Sequence, residues 1–391
     1  LPHDAASLRR LLAEYSGDGW LRGVNYHESI AGDLDRWQLD ALVSERPVRI
    51  QHRSGKLWIL NSLAVNLLDL AVHKNLPGVE LDPQGVPTGR LFRLDAWLRE
   101  KLGRQDPLDV SVLSRQMASF GITGFTDTSA TNTAATVIQF QQMRERGEIL
   151  QKSYLMGDDS LDFGHLKILL DEDNLPPLNE LEARIRRARA KKRGIAFHCV
   201  THIELLVAIA ALNSCNELDP CKQFADRIEH GSVIFDDVLP MLRDLHLSVV
   251  TQPGFLYDRG QQYAKNLTPH ELAHLYRYQT LLSSGVKVGL SSDAPYGPLN
   301  PWQVMESAVT RKTVAGEVIG ANECITPEQA LAGYLSNAQA PGGVERKVAV
   351  GECADLCLLT HPWRELRTDL AGVTVAVTVV AGEFAYAADG L

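Results

Sequence analysis

Cysteine is scarce. Six residues (Cys199, Cys215, Cys221, Cys324, Cys353 and Cys357) are scattered over 391 positions, too thinly for the disulfide framework of a small extracellular scaffold, and they fit free thiols in a reducing compartment. Long apolar runs are missing too. A membrane-spanning helix needs roughly 18–20 such residues, and the longest candidates, such as 373–380, are short and broken by threonine. Basic charge is in deficit, with 39 Lys and Arg against 48 Asp and Glu and a net charge of −9, which leaves no broad positive field for a phosphate backbone or an anionic bilayer. These absences exclude nucleic acid and membrane as expected partners and point to the cytoplasm. No G-x-G-x-x-G or G-x-x-x-x-G-K loop follows any strand-like run, which removes the nucleotide-binding form of an open sheet. The first residue is Leu1 rather than Met, so a leader peptide would not be visible.

What is present is ordinary for a globular chain: 45% hydrophobic and 22% charged residues exclude disorder and fibre. Leu8, Leu11, Leu12 and Tyr15 recur at helical spacing behind Asp4 and Ser7, either of which could cap that helix. Short apolar or β-branched runs come next at 47–53, 121–127, 166–170, 194–199, 227–230, 247–252 and 286–292. Helical patterns lie between most of them, for example at 178–190, 204–212 and 269–283. Strand–helix alternation predicts a parallel sheet. The polar residues of chemical interest sit at the C-terminal ends of different strands, as in a (β/α) barrel. The expected class is therefore α/β, with a TIM-like barrel over 1–340. After a helix at 326–335, strand-like runs at 354–359, 373–380 and 383–386 predict a small C-terminal β-subdomain over 341–391.

Two histidines end apolar runs: His198 closes Ile195-Ala196-Phe197, and His230 closes Arg227-Ile228-Glu229. Neutral imidazole is the commonest metal ligand, and zinc accepts two or more with a position left for water. Alone, each histidine is more readily a hydrogen-bonded core or loop residue. Together with Ser291-Ser292-Asp293 at the end of a third run, they point to a site. Asp293 could hold a metal, act as the base that takes a proton from water, or cap a helix. Lys167 lies within Leu166-Lys167-Ile168-Leu169-Leu170. A buried lysine has a lowered pKa, and its neutral amine can add carbon dioxide to give a metal-bridging carbamate. The alternative is a lysine whose stem is buried and whose head reaches solvent.

The segments "FHCVT", "RIEHG", "LSSDAPYGPLNPW" and "ITPEQALAGYLSNA" resemble the amidohydrolase superfamily, specifically its amidohydrolase 3 (YtcJ-like) branch of metal-dependent hydrolases. "VAVGECADLCLLTHPW" and "VTVAVTVVAGEFAYA" resemble that family's return into a β-sandwich, and "RPVRIQHRSGKLWILNSLAV" resembles its second strand and the segment after it. The likeness runs over 19–386. It implies His198 and His230 as ligands from the fifth and sixth barrel strands, Lys167 as a carboxylated bridge on the fourth, and Asp293 as catalytic acid/base on the eighth. It further implies one or two divalent ions, zinc first, and places His52 or Arg53 in the substrate pocket. Tyr296 is a further substrate-contact candidate.

Two departures stand out. The family often follows its lysine with Asp-Gly, where this chain has "KILLDEDNLPP". The family's first strand carries a His-x-His pair, and none occurs here. His3 cannot replace it, since no histidine lies two positions away. The expectation is an N-terminally incomplete chain whose barrel lacks its first strand and so bears an open edge.

His270-Glu271-Leu272-Ala273-His274 matches the H-E-x-x-H pattern of zinc metalloproteases. However, Thr268 as N-cap and Pro269 at the first helical position put His270 in the frayed first turn. His202 reads as a loop or first-turn residue. The basic run 184–193 reads as a solvated helix face, and Cys353 and Cys357 as packing. The sequence thus predicts a metal-dependent hydrolase acting on a C–N bond of a small-molecule amide or cyclic amide, with a homodimer as the prior. The alternative is a catalytically inactive binding or regulatory relative.

Overall fold

Asp4 and Ser7 both cap the first helix, Ala5–Glu14: the Ser7 N–H donates to Asp4 Oδ1 at 2.7 Å and the Asp4 N–H to Ser7 Oγ at 3.1 Å. Leu8 and Leu12 are the buried stripe that this helix presents. The computed structural model describes residues 4–14, 19–103, 109–215 and 225–388. The readings made on His3, Tyr15 and Cys221 lie outside the described residues.

The chain divides into two units, Leu1–Leu108 and Asp109–Leu391. In the first, β1 (Leu21–Tyr26) runs parallel to β2 (Val48–His52). The sheet continues antiparallel through β3 (Leu57–Leu60), β5 (Pro87–Phe92) and β4 (Val79–Leu81), in the order β1-β2-β3-β5-β4. The β2–β3 reversal passes through Gly55, whose φ of +72° suits a residue without Cβ. The run predicted at 47–53 is β2; β3 is a four-residue apolar run, Leu-Trp-Ile-Leu, while β4 and β5 carry charge-broken patterns, and none of the three was singled out as a strand.

The second unit holds the parallel strands. β6 (Gly124–Asp127) pairs with β7 (Lys152–Leu155), and β8 (Leu166–Leu169), β9 (Ile195–Cys199), β10 (Arg227–His230), β11 (Ser248–Thr251) and β12 (Lys287–Leu290) form one sheet in chain order. A parallel bridge from Gly157 to Leu166 carries the chain beyond β7 alongside β8. Every residue of β10 and β11 is buried, the pattern of a parallel sheet covered on both faces. The helices Leu178–Ala190 and His202–Ser214 supply Leu181, Ile185, Leu205 and Ile209 to the same core as Phe197, Ile228 and Val249. His202 is indeed the first residue of its helix. The fold is α/β with parallel sheets.

At the C-terminus, β13 (Leu356–Leu359), β14 (Val375–Val380) and β15 (Glu383–Ala387) make an antiparallel sheet. Val373 and Val375 join the large core, and Lys152 pairs with Asp355 at 2.7 Å. The five described cysteines are free. No helix among the described residues is long and apolar enough to cross a membrane.

Two expectations are corrected. The pattern at 269–283 is two helices, Pro269–Ala273 and Tyr278–Ser283. Between them, Arg311, 1% exposed, donates to the carbonyls of Leu275 and Tyr276 at 2.8 and 2.9 Å, so those oxygens serve a buried guanidinium instead of a continuing helix. The basic run is not simply a solvated face either. Arg184 pairs with Asp159 and Arg189 with buried Asp226, while Arg193, 2% exposed, donates to the carbonyls of Gly157, Asp158, Leu161, Gly164 and His165. Arg193→Met would remove five donated hydrogen bonds, each worth about 0.5–1.5 kcal/mol net, although the Gly157, Asp158, Leu161 and His165 carbonyls keep a second donor. A fall of several degrees in the thermal unfolding midpoint is expected, and an unchanged midpoint would refute the role.

Candidate active site

The second unit carries all four of the residues singled out as candidates, Lys167, His198, His230 and Asp293. Lys167 is in mid-β8 and 3% exposed, so its head does not reach solvent. Burial lowers its pKa, while Glu229 and Asp293 act in the opposite direction. His198 sits on β9, in register with Glu229 of β10, and its ring centroid lies 4.4 Å from that of His230 at an interplanar angle of 75°.

His230 is buried, and its pKa is pushed down to about 4 by burial first and by Lys167 second, so the ring is neutral at pH 7. Its tautomer is set by Gln252. The Gln252 Nε2 donates to the Val250 carbonyl at 3.0 Å and to Ser291 Oγ at 2.8 Å, which turns Oε1 toward His230 Nδ1 at 2.9 Å. A carbonyl can only accept, so Oε1 is the atom left for histidine and Nδ1 carries the proton. The Nε2 lone pair is therefore available, as metal ligation requires.

Asp293 lies beyond β12 with φ +52°. Its carbonyl accepts from the N–H groups of Tyr296 and Gly297 at 2.8 and 3.2 Å, closing a tight turn. Gly297 is needed there, because a Cβ would lie 2.2 Å from the Ser292 carbonyl oxygen. The turn is not a helix N-cap; the next helix, Pro301–Thr310, is capped by Asn300. Burial raises the half-buried Asp293 carboxyl to about pKa 7, against the pull of Lys167 and Arg259.

The donor chemistry of His198, His230, Asp293 and a carboxylated Lys167 fits a divalent metal. Among the described residues, however, the one trio of His, Cys, Asp or Glu whose ligand atoms all lie within 4.8 Å is His27, Glu28 and His52. His198, His230 and Asp293 are spread more widely. His52 and Arg53 belong to the first unit, at the end of β2 and just after it. Tyr296 packs against the Phe255 and Tyr276 cluster of the second. The H-E-x-x-H segment is committed otherwise: the Glu271 carboxylate accepts from the Thr268 N–H and hydroxyl at 2.9 and 2.7 Å, capping its own helix.

Residues 2–386 match the amidohydrolase family. The chain belongs to that family. This amidohydrolase is 24% identical over 435 residues to the N-substituted formamide deformylase of Arthrobacter pascens, a match covering 95% of this chain and 80% of that protein. Against the putative amidohydrolase YtcJ of Bacillus subtilis (strain 168) it is 23% identical over 432 residues, or 94% and 80% of the two chains. Its fold resembles an uncharacterized metal-dependent hydrolase from Pyrococcus horikoshii OT3, with a TM-score of 0.64 and 18% identity over 85% of this chain and 74% of the other. A second such hydrolase, from Pyrococcus furiosus, gives a TM-score of 0.61 and 20% identity over 85% and 76%.

Sequence reasoning missed two of the amidohydrolase's polar residues. Glu229 is buried and ion-paired with Arg227 at 2.5 Å. Burial works against its charge, but Arg227 and Lys167 outweigh it and hold the carboxyl below the usual range. The signal was alternation, since residues 227 and 229 share one face of a strand. Gln252 directly follows β11, where the rule that selected His198 and His230 would have found it.

Proposed function

We propose that this amidohydrolase is a metal-dependent enzyme that hydrolyses a C–N bond, in a non-peptide amide or cyclic amide, of a small molecule. On this reading, the parallel strands belong to a (β/α) barrel and the C-terminal strands to a β-sandwich subdomain. A cytoplasmic homodimer completes the proposal. The observation that carries it is the placement of a half-buried carboxyl, Asp293, just beyond the parallel sheet that carries two adjacent imidazoles and a buried lysine, where burial raises its pKa to about 7.

His198, His230 and Lys167, the last as its carbamate, would hold the metal. Bound there, a divalent ion, zinc or one of similar preference, supplies Lewis-acid polarisation of the scissile carbonyl and acidifies water. Asp293 takes the proton from the attacking water and passes it to the departing nitrogen. A pKa near the working pH suits a group that must do both. Gln252 keeps the His230 tautomer fixed, and Glu229 with Arg227 forms the charged floor beside Lys167. Tyr296 is kept as a substrate contact.

The deformylase likeness makes N-substituted formamides the first substrates to try, with cyclic amides beside them. Zinc-loaded chain is expected to release amine, to stop when a chelator is added, and to resume with zinc. A protein that holds zinc stoichiometrically yet releases no amine from either class sinks the proposal. That result would favour a second reading, in which the chain binds amides without turning them over.

A further inference from the structure

We propose that His27, Glu28 and His52 form a divalent-metal site of their own in the first unit, suited to zinc and sharing no residue with the strand-end cluster of the second. β1 and β2 run parallel, with Tyr26 opposite His52, so His27, Glu28 and His52 meet where the two strands end together. Glu28 Oε2 lies 3.2 Å from His27 Nε2, and Glu28 Oε1 lies 3.2 Å from His52 Nε2. Donors at about 2.0–2.2 Å from a tetrahedral zinc stand about 3.3–3.6 Å from one another, so these separations are close to those of a coordination edge. Two imidazoles and one carboxylate are a donor set zinc accepts, with a fourth position open to water. The side chains are 18%, 42% and 15% exposed, which holds the rings in place while leaving the carboxylate reachable by an ion.

The surroundings repeat on both sides. His27 Nδ1 lies 2.9 Å from Ser29 Oγ and His52 Nδ1 lies 2.8 Å from Ser54 Oγ, so each imidazole is oriented by the hydroxyl two residues on. The N–H groups of Ser29 and Ser54 also approach Nδ1, at 3.1 and 3.2 Å. Without metal, Nδ1 accepts those N–H groups and each Nε2–H points to Glu28. On binding, each ring's single proton shifts by exchange with solvent from Nε2 to Nδ1, which gives up the serine N–H it accepted and donates instead to the serine hydroxyl, the outer contact a ligating imidazole needs. Glu28 is ready as a ligand: burial works against its charge, yet its own backbone N–H and the two histidines hold its pKa below the usual carboxylate range. In this assignment His52 is a ligand rather than a substrate contact.

The test uses the full chain, stripped with chelator, dialysed against zinc and assayed by elemental mass spectrometry. Wild type is expected to hold one ion more than the His27→Gln/His52→Gln double variant. His230→Ala is expected to keep the ion that the double variant loses, so that failure of the strand-end cluster is distinguishable from failure here. Glu28→Gln, which keeps both rings, should weaken zinc binding at this site at least tenfold. Ring-nitrogen magnetic resonance should show the proton of both histidines moving from Nε2 to Nδ1 as zinc is added. Equal zinc content and affinity in wild type and the double variant would overturn the proposal, leaving Glu28 as an acceptor for two imidazole donors. If the double variant does not fold, His27→Gln alone decides by the same comparison.

Discussion

Replacing Asp293 by asparagine is expected to lower kcat by about 10²–10⁴-fold, the contribution of a positioned acid/base, while zinc content stays that of wild type. Asparagine keeps the shape and loses only the ability to take and return a proton. A structural role can be separated from a catalytic one by the sign of the stability change. Asp293 has its pKa raised from 3.8 to about 7 in the folded chain, so between those values the folded state binds a proton that the unfolded state has released. Its contribution to stability therefore falls as pH rises through that window, and above pH 7 the buried charge is a full penalty of a few kcal/mol. The amide of the Asp293→Asn variant carries no such charge. That variant, metal-free, is expected to melt higher than metal-free wild type at pH 8, with the gap shrinking toward pH 4. Turnover lost together with stability at pH 8 would mean that Asp293 holds the turn rather than moves a proton.

The parallel strands were the most legible part of the fold. A strand covered on both faces, such as Ile195–Cys199 or Ser248–Thr251, is mostly an apolar or β-branched run bounded by turns, and each of the seven runs singled out contains a strand. Strands with one open or edge face were not readable: Leu21–Tyr26 reads Leu-Arg-Gly-Val-Asn-Tyr and Lys152–Leu155 reads Lys-Ser-Tyr-Leu, with too few apolar residues to set a period. Long-range partners decided the remaining errors. Whether the chain at Leu275 and Tyr276 stays helical depends on a guanidinium 36 and 35 residues away. Arg193 and its buried carbonyl partners lie 28 to 36 residues apart, beyond any local window.

The same division holds for the candidate residues. His198 and His230 stood out because each closes or nearly closes a strand-like run and Asp293 because it follows another, and Lys167 because a charge within an apolar run needs a reason. The trio of His27, Glu28 and His52 was invisible. Its members meet only because Leu21–Tyr26 pairs in parallel with Val48–His52, and nothing in the pattern of the first strand announced that pairing.

The amidohydrolase cluster also makes a graded prediction for metal affinity. His230→Ala removes a donor outright and is expected to abolish the ion held by the second unit. Gln252→Leu leaves the imidazole in place but removes the acceptor of its Nδ1 proton. In wild type, the Val250 carbonyl and Ser291 hydroxyl fix the amide so that Oε1 faces the ring. With leucine there, the ring is free to carry its proton on Nε2, the atom needed for ligation, and the affinity is expected to fall about 10–100-fold, as for other outer partners of ligating histidines. Gln252→Glu should act in the opposite direction, since a carboxylate is a stronger acceptor for Nδ1–H and makes Nε2 a better donor. Zinc affinities measured by competition with a chelating dye, falling from Gln252→Glu through wild type to Gln252→Leu, would tie the His230 tautomer to the metal. Three equal affinities would mean that His230 is not a ligand, and the strand-end cluster would then have to be read as a polar core around the Lys167, Glu229 and Arg227 charges.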